Sequence, residues 1–406
     1  MRLRKRAAGL ALGAGILFLL GTNVQAGWLF VLCALMLGTL LSGLILPGHM
    51  LRGIELERRA PGEVVQGEEA FVDLIVSNRA RGIRLGLTLD DTHVAPTSLY
   101  LTKVAPGERV ELVTARPAAK RGVQGDSVVT VRSAAPFGVA ERRRSLHVAG
   151  STIVLPAVLP LGALPFLANA SDPSRWSRSV PHRGSGPEYL GIREYRPGDS
   201  PRHVHWPSTA RTGTVMVREL EEERTRRIAV VVDTLADVGE IGTPLDACCT
   251  VAASIARVAI AEGHGIRTVA MRAGRSVDVW DDVDEGPLRR RLAALVPDGV
   301  PLAETLDRAA ESFRDVDVVV LILPTWRTNG DEALWRAIAS LAATRATVAA
   351  IPVEVGPDDA KRIAALRSDE VEAFFVSLGR AGAEVYPWRV GIPLADALVR
   401  DRETAP

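Results

Sequence analysis

Two apolar runs at the start of the chain, neither containing a charge, constrain it more than any other feature. Residues 7–20 read Ala-Ala-Gly-Leu-Ala-Leu-Gly-Ala-Gly-Ile-Leu-Phe-Leu-Leu, and residues 26–46 form the second run. A helix needs about 20 such residues to cross a bilayer core; the second run has them, and the first does if it extends through Val24. Only Gly21, Thr22, Asn23, Val24 and Gln25 lie between, so the expectation is a tight helical hairpin, with helices over about 7–24 and 26–46 inside a segment 1–50. Arg2, Arg4, Lys5 and Arg6 precede it, Arg52, Arg58 and Arg59 follow it, and the loop carries no basic residue. By the positive-inside rule both termini and the soluble body are then cytoplasmic, with Trp28 as an interfacial anchor. The competing reading is a signal peptide cleaved after Val24-Gln25-Ala26, which would put the body outside. It would require Arg52 and its basic neighbours to be translocated, and that weighs against it.

The remaining length, out of 406 residues, is enough for two or three domains. With 49 basic against 48 acidic residues, bulk nucleic-acid binding is not expected. Cys33 lies in an apolar run and Cys248 and Cys249 are adjacent, so neither a disulfide framework nor a zinc site is indicated. A reducing compartment fits best.

Residues 51–156 alternate in short apolar stretches such as 70–78, 85–89, 110–114 and 128–131, broken at Pro61-Gly62, Pro106-Gly107 and Arg121-Gly122. Period-two runs of this length predict a small antiparallel sandwich, a packing or interaction module without chemistry of its own.

Residues 157–226 form a linker and a polar segment, densest in functional side chains over 182–219. Arg183-Gly-Ser-Gly-Pro187 lacks the first Gly of a nucleophile elbow, and Gly184 and Gly186 are not followed by the Lys-Ser/Thr of a phosphate loop. His203 and His205 would share a face if the segment were a strand, so a metal pair is conceivable, but no third ligand is identifiable. Arg193, Arg196, Arg202, Arg211 and Arg218 are interspersed with Glu188, Glu194, Asp199 and Glu219, a pattern that can fasten a loop-rich segment through bidentate pairs. Tyr189, Tyr195 and Trp206 add residue types that carry binding energy at interfaces.

The string Gly184-Ser-Gly186-Pro-Glu188-Tyr189, Arg193-Glu194-Tyr195-Arg-Pro-Gly198-Asp199, Arg202, Trp206, Ser208, Ala210-Arg211 and Val217-Arg-Glu219 resembles the signature of domain-of-unknown-function family 58 (DUF 58). The resemblance extends to the membrane hairpin, a β-rich segment ending in Arg121-Gly122 and Pro136-Phe137-Gly138, and a following α/β domain. It departs at His205, where an acidic or amide residue usually precedes the Trp, and at Ala135, which replaces an Asp. The family's biochemical role is not established. The resemblance implies a bacterial inner-membrane setting and the company of MoxR-type AAA ATPases and von Willebrand factor A-like proteins.

From residue 227 strands alternate with helices: a strand over 227–233, a helix over 247–262, strands over 266–271 and 277–280, helices over 287–295 and 302–313, a core strand over 316–323, a helix over 332–342 and a strand over 346–353. This predicts a doubly wound parallel sheet over 227–406. It is similar to the von Willebrand factor A fold, whose metal site uses Asp-x-Ser-x-Ser after the first strand. Here Asp233-Thr-Leu-Ala-Asp237 lacks both serines and Pro324-Thr-Trp326 lacks the later Asp, so no metal is expected at Asp233. Cys248 and Cys249 are expected to pack against the sheet.

The expectation is therefore a multi-domain, non-enzymatic, membrane-anchored scaffold or adaptor without cofactors, binding the bilayer through its hairpin and a protein partner, such as a MoxR-type ATPase, through the signature residues. The alternative is a metal-dependent hydrolase built on His203, His205, Glu188 or Asp199.

Overall fold

The computed structural model describes residues 2–3, 5–169, 189–196, 201–220, 226–235, 244–272, 276–297, 299–324, 332–354 and 368–398. The chain forms two compact units, Met1–Val158 with Asp237–Ala253 and Gly286–Pro297, and Leu159–Ala236 with Ser254–Glu285 and Asp298–Pro406.

In the first unit, helices α1 (Lys5–Val24) and α2 (Gly27–Met50) are each long and apolar enough to cross a membrane. Their contact is made of small residues. Ala7, Ala14 and Gly21, seven residues apart, are the buried positions of α1, and a side-chain carbon on Gly21 would lie 3.2 Å from Phe30 and 3.4 Å from Leu29 of α2. Small side chains let two backbones approach closely where no water is available to drive association. The Cys33 thiol reaches the Ala14 carbonyl at 3.3 Å, and Phe18 meets Phe30 edge-on at 5.9 Å. Leu12, Leu19, Leu35 and Leu41 point outward and exposed. A third helix, Pro244–Ala261, matches in length and composition, but 72% of its most apolar window is buried, which makes it a core helix.

Among the described residues, eleven strands belong to this unit: β1 (Arg2–Leu3), β2 (Ile54–Arg59), β3 (Glu63–Val65), β4 (Glu69–Asn78), β5 (Arg84–Asp91), β6 (Thr97–Val104), β7 (Arg109–Pro117), β8 (Gly122–Gln124), β9 (Ser127–Ser133), β10 (Ala140–Val148) and β11 (Thr152–Leu155). They form three sheets, ordered β1-β10-β9-β5-β6, β2-β4-β7 and β3-β11-β8. Alternation decides what is buried. Along β4, Val72, Leu74 and Val76 turn inward, and Leu74 and Val76 share a core with Leu87 and Leu89 of β5 and Val129 and Val131 of β9.

In the second unit, β12 (Tyr189–Glu194) and β13 (Met216–Leu220) make a two-stranded ribbon. Strands β14 (Arg227–Val232), β15 (Gly265–Arg272), β16 (Ser276–Asp282), β17 (Val318–Pro324), β18 (Thr347–Glu354), β19 (Glu384–Val385) and β20 (Trp388–Arg389) form a larger sheet, ordered β16-β15-β14-β17-β18-β19, with β20 also on β18. Every residue of β17 is buried, as a strand covered on both faces requires. Its core includes Leu302 and Leu306, Leu334 and Ile338, and Phe374 and Leu378, contributed by helices Leu302–Arg308, Glu332–Ala342 and Ser368–Arg380.

The sheet is mixed rather than wholly parallel, because β16 runs antiparallel to β15. Only residues 273–275 separate the two strands, and a parallel return needs a crossover of a dozen or more residues. The helix expected over 302–313 stops at Arg308 and continues as a 3-10 turn, Ala310–Phe313.

Candidate functional site

The signature residues fall on the ribbon and on the segment joining its strands. Arg193 lies opposite Val217, Ile192 opposite Arg218 and Glu194 opposite Met216. Between the strands the chain makes a 3-10 turn at Pro201–His203, an isolated bridge from Val204 to Val217, and helix α4 (Trp206–Thr212; α3 is Pro165–Asn169). Pro207 in the first turn and Gly213 at φ 74° after the last give α4 a defined start and stop.

His205 is the N-cap of α4. Its Nδ1 accepts from the Ser208 N–H at 3.4 Å and lies 2.9 Å from the Ser208 hydroxyl. An acidic or amide side chain would be a strong N-cap here, and His205 supplies a ring nitrogen in its place. Thr209 then ties the helix to the ribbon: its hydroxyl donates to the His205 carbonyl at 3.1 Å and accepts from the Met216 N–H at 2.9 Å. The His205 N–H donates to the Met216 carbonyl at 2.8 Å, and the Tyr195 N–H to the Val215 carbonyl at 2.7 Å. Local hydrogen bonds hold this segment, since α4 has no buried residue.

Consequently most of the described motif side chains face outward, with Val217 buried and Arg193 half-buried. Trp206 is 70% exposed and Tyr195 42%. Arg202, Ala210 and Arg211 are exposed, Ser208 is half-buried through its cap, and Arg193 donates to the Glu194 carbonyl at 3.0 Å. Gly186, Glu188, Gly198 and Asp199 lie outside the described residues, as do the side chains of Tyr189 and His203. The strand face imagined for His203 and His205 does not form, because a 3-10 turn ends at one and a helix cap begins at the other.

Asp233 follows β14 and is buried. Its N–H donates to the Ile322 carbonyl at 3.0 Å, and its Oδ1 accepts from the Leu235 N–H at 3.0 Å, so the carboxylate braces the turn leaving the strand. Among the described residues no three His, Cys, Asp or Glu side chains gather as a metal set would.

Sequence reasoning missed two ionic centres, both in the first unit. Arg121, read as a strand break and as part of the family pattern ending the β-rich segment, is buried. Its Nε donates to Asp246 at 3.0 Å and its Nη1 to the carbonyls of Leu292, Ala293 and Leu295 at 2.5, 2.9 and 2.9 Å. Those carbonyls end helix Glu285–Ala294, where orphan acceptors and the helix dipole favour a cation. In the other, Asp91 of β5 accepts from Arg58 of β2 at 2.6 Å and Arg116 of β7 at 2.9 Å, with no exposure of any of the three side chains. Burial pushes the Asp91 carboxyl up, but the His93 N–H and the two guanidiniums outweigh it and leave it below its ordinary range. The signal for the Asp91 group lay in charged residues on otherwise inward-facing strand positions.

The family described as "Protein of unknown function DUF58" matches residues 191–279, which include most of the ribbon, α4 and the first strands of the larger sheet. Among solved structures, a conserved hypothetical protein BatB from Bacteroides thetaiotaomicron aligns at 13% identity and a TM-score of 0.31, over 42% of this chain and 93% of that one. A GH20 exo-β-N-acetylglucosaminidase from Vibrio harveyi aligns at 9% identity and a TM-score of 0.24, over 83% and 76% of the two chains. A β-glucosidase from Listeria innocua aligns at 18% identity and a TM-score of 0.12, over 25% of this chain and 16% of that one. At such scores these likenesses bear on neither fold nor activity. No curated protein matches the chain.

Proposed function

We propose that this protein is a membrane-anchored, non-enzymatic scaffold. The hairpin tethers it with both termini and the body on the cytoplasmic side. The β-rich segment is read as a sandwich and the larger sheet as a von Willebrand factor A-like domain without its metal. Together they present the signature segment to a protein partner, for which a MoxR-type AAA ATPase is the leading candidate.

The observation that carries this reading is Trp206. A large aromatic exposed on a helix with no buried face, with Arg202 and Arg211 exposed nearby in sequence, contributes nothing to a core and has the composition of an interface anchor. The hydrolase reading has less support, because the Nδ1 of His205 is engaged as a helix cap.

The test is capture of a co-expressed MoxR-type ATPase by detergent-extracted full-length protein carrying Trp206→Ala with Arg211→Ala. Loss of capture at an unchanged melting temperature supports the reading. Undiminished capture by the double variant, or metal-dependent hydrolytic turnover by the wild type that His205→Ala abolishes, overturns it.

A further inference from the structure

The β9–β10 turn, Pro136-Phe137-Gly138, packs beside the apolar hairpin, and both helices place it at the same depth. On α2 it meets Gly43: a side-chain carbon at that glycine would lie 2.7 Å from Cβ and Cγ2 of Val139, which is fully buried. Gly43 stands three residues before Leu46, the end of the apolar run, or about 5 Å along the helix axis. On α1 the turn meets Arg6, the last charge before that run: a Cβ on Gly138 would lie 3.1 Å from Arg6 Nη1. Strand β1 pairs with β10 at Ala140 and Glu141, which fixes the level a second time. The turn therefore sits where hydrocarbon gives way to headgroups, and there Phe137 is 45% exposed.

The charges beside it match that location. Arg144 of β10 donates to the Leu51 carbonyl, immediately after α2, at 3.2 Å, and Arg84 donates to the Arg52 carbonyl at 3.0 Å. Arg142 continues the row of Arg144, and both it and Arg143 are exposed. An aromatic ring at the interface with arginines just above it is the arrangement that suits an anionic leaflet.

We infer that the Pro136-Phe137-Gly138 turn is a second membrane contact, with Phe137 set among the upper acyl chains and Arg142 and Arg143 on anionic headgroups. The β-rich segment is thereby held at a fixed level against the bilayer instead of swinging on its tether. This rests on the proposal that the hairpin spans the membrane, and Gly43 is the position that lets the turn come close.

The experiment reconstitutes the full chain in vesicles of phosphatidylcholine with phosphatidylglycerol. A nitrobenzoxadiazole dye is placed at Phe137→Cys and, separately, at Leu37→Cys in the middle of α2. Quenching is read with lipids spin-labelled high or deep on the acyl chain and with aqueous cobalt. The dye at 137 is expected to be quenched best by the shallow lipid label and poorly by cobalt. Shallow-labelled phosphatidylglycerol should quench roughly thirtyfold more than the phosphatidylcholine version, the equivalent of about 2 kcal/mol from two arginines at an anionic surface. Arg142→Gln with Arg143→Gln removes that excess, and Gly43→Leu, which pushes Val139 away, restores access to cobalt. A dye at 137 open to cobalt, while the dye at 37 is quenched by the deep label, overturns the inference and leaves the hairpin standing. A dye at 37 open to cobalt overturns both.

Discussion

The β-rich segment and the signature segment are both rich in arginine, and they use it in opposite ways. Around Asp91 the guanidiniums of Arg58 and Arg116 have no solvent exposure, and most of their bonds join the two sheets or their loops: Arg58 also reaches Ser127 at 2.9 Å, and Arg116 the His93 carbonyl at 2.9 Å. Around α4, Arg202 and Arg211 stand in solvent, while Thr209, His205 and the ribbon backbone hold the segment in shape. Two buried cations on one carboxylate are tolerable only while all the partners remain. Arg202 and Arg211, exposed on the turn and on α4, remain available to a partner. An arginine-rich sequence therefore says little until burial is known.

The comparison breaks first at Asp91. Asp91→Ala leaves two guanidiniums buried without their counter-ion and is expected to cost about 3–5 kcal/mol. The measurement is denaturant unfolding of the full chain in detergent, and a loss below that range would mean that water reaches the cluster. Arg121→Met comes next, at about 2–3 kcal/mol, since Asp246 and the carbonyls ending helix Glu285–Ala294 lose a charged donor together. Restoring a cation with Arg121→Lys recovers only part of this, because one ammonium cannot reproduce the fork.

Acid probes the same cluster without mutation. His93 is buried, and its Nε2 lies 3.0 Å from the Thr152 hydroxyl, which itself donates to the Pro61 carbonyl at 2.9 Å. That hydroxyl must then accept, so the imidazole donates from Nε2. Burial and the charge of Arg58 hold the His93 pKa below its ordinary value. A depressed histidine binds fewer protons folded than unfolded. Stability is therefore complete above the unfolded pKa of about 6.5 and declines as pH falls toward the lower folded value. Asp91, also depressed, adds a second decline from about pH 4 downward, as its folded carboxylate is finally protonated. Melting temperature against pH should show both limbs. His93→Gln should shrink the upper one and spare the lower, the remainder belonging to His264, whose pKa burial also lowers, and an unchanged upper limb in that variant would place the titration elsewhere.

What the sequence disclosed follows from how each signal is written. The hairpin was legible because apolar length is a one-dimensional property, and the positions of α1 and α2 differ from expectation only at their ends. The alternation of 70–78 was legible for the same reason, period two being visible without a partner. Arg58, Asp91 and Arg116 could not be seen as one group, because they lie on three strands of two sheets. Arg121 carried no local mark of the helix end it caps. In the signature segment the residues were found by resemblance, while their exposure came from packing: Trp206 and Val217 are both apolar, yet one stands in solvent and the other is buried in the ribbon.

At α4 the effects shrink. His205→Ala removes the cap accepting from Ser208 and should cost about 1 kcal/mol, whereas His205→Asp, a better N-cap, should hold or raise stability. Removal of the exposed side chains should cost least of all. Trp206→Ala and Arg202→Ala are each expected to stay within about 0.5 kcal/mol of the parent, since neither empties a core nor strands a buried group. This small number is the sharpest separation of the two regions, and it bears on the proposed function as well. If Trp206→Ala unfolds at markedly lower denaturant, the ring is holding the ribbon together, and α4 belongs with Asp91 as a structural device. If it melts with the parent, the fold has no use for an exposed tryptophan, and the reason for it has to lie in what binds there.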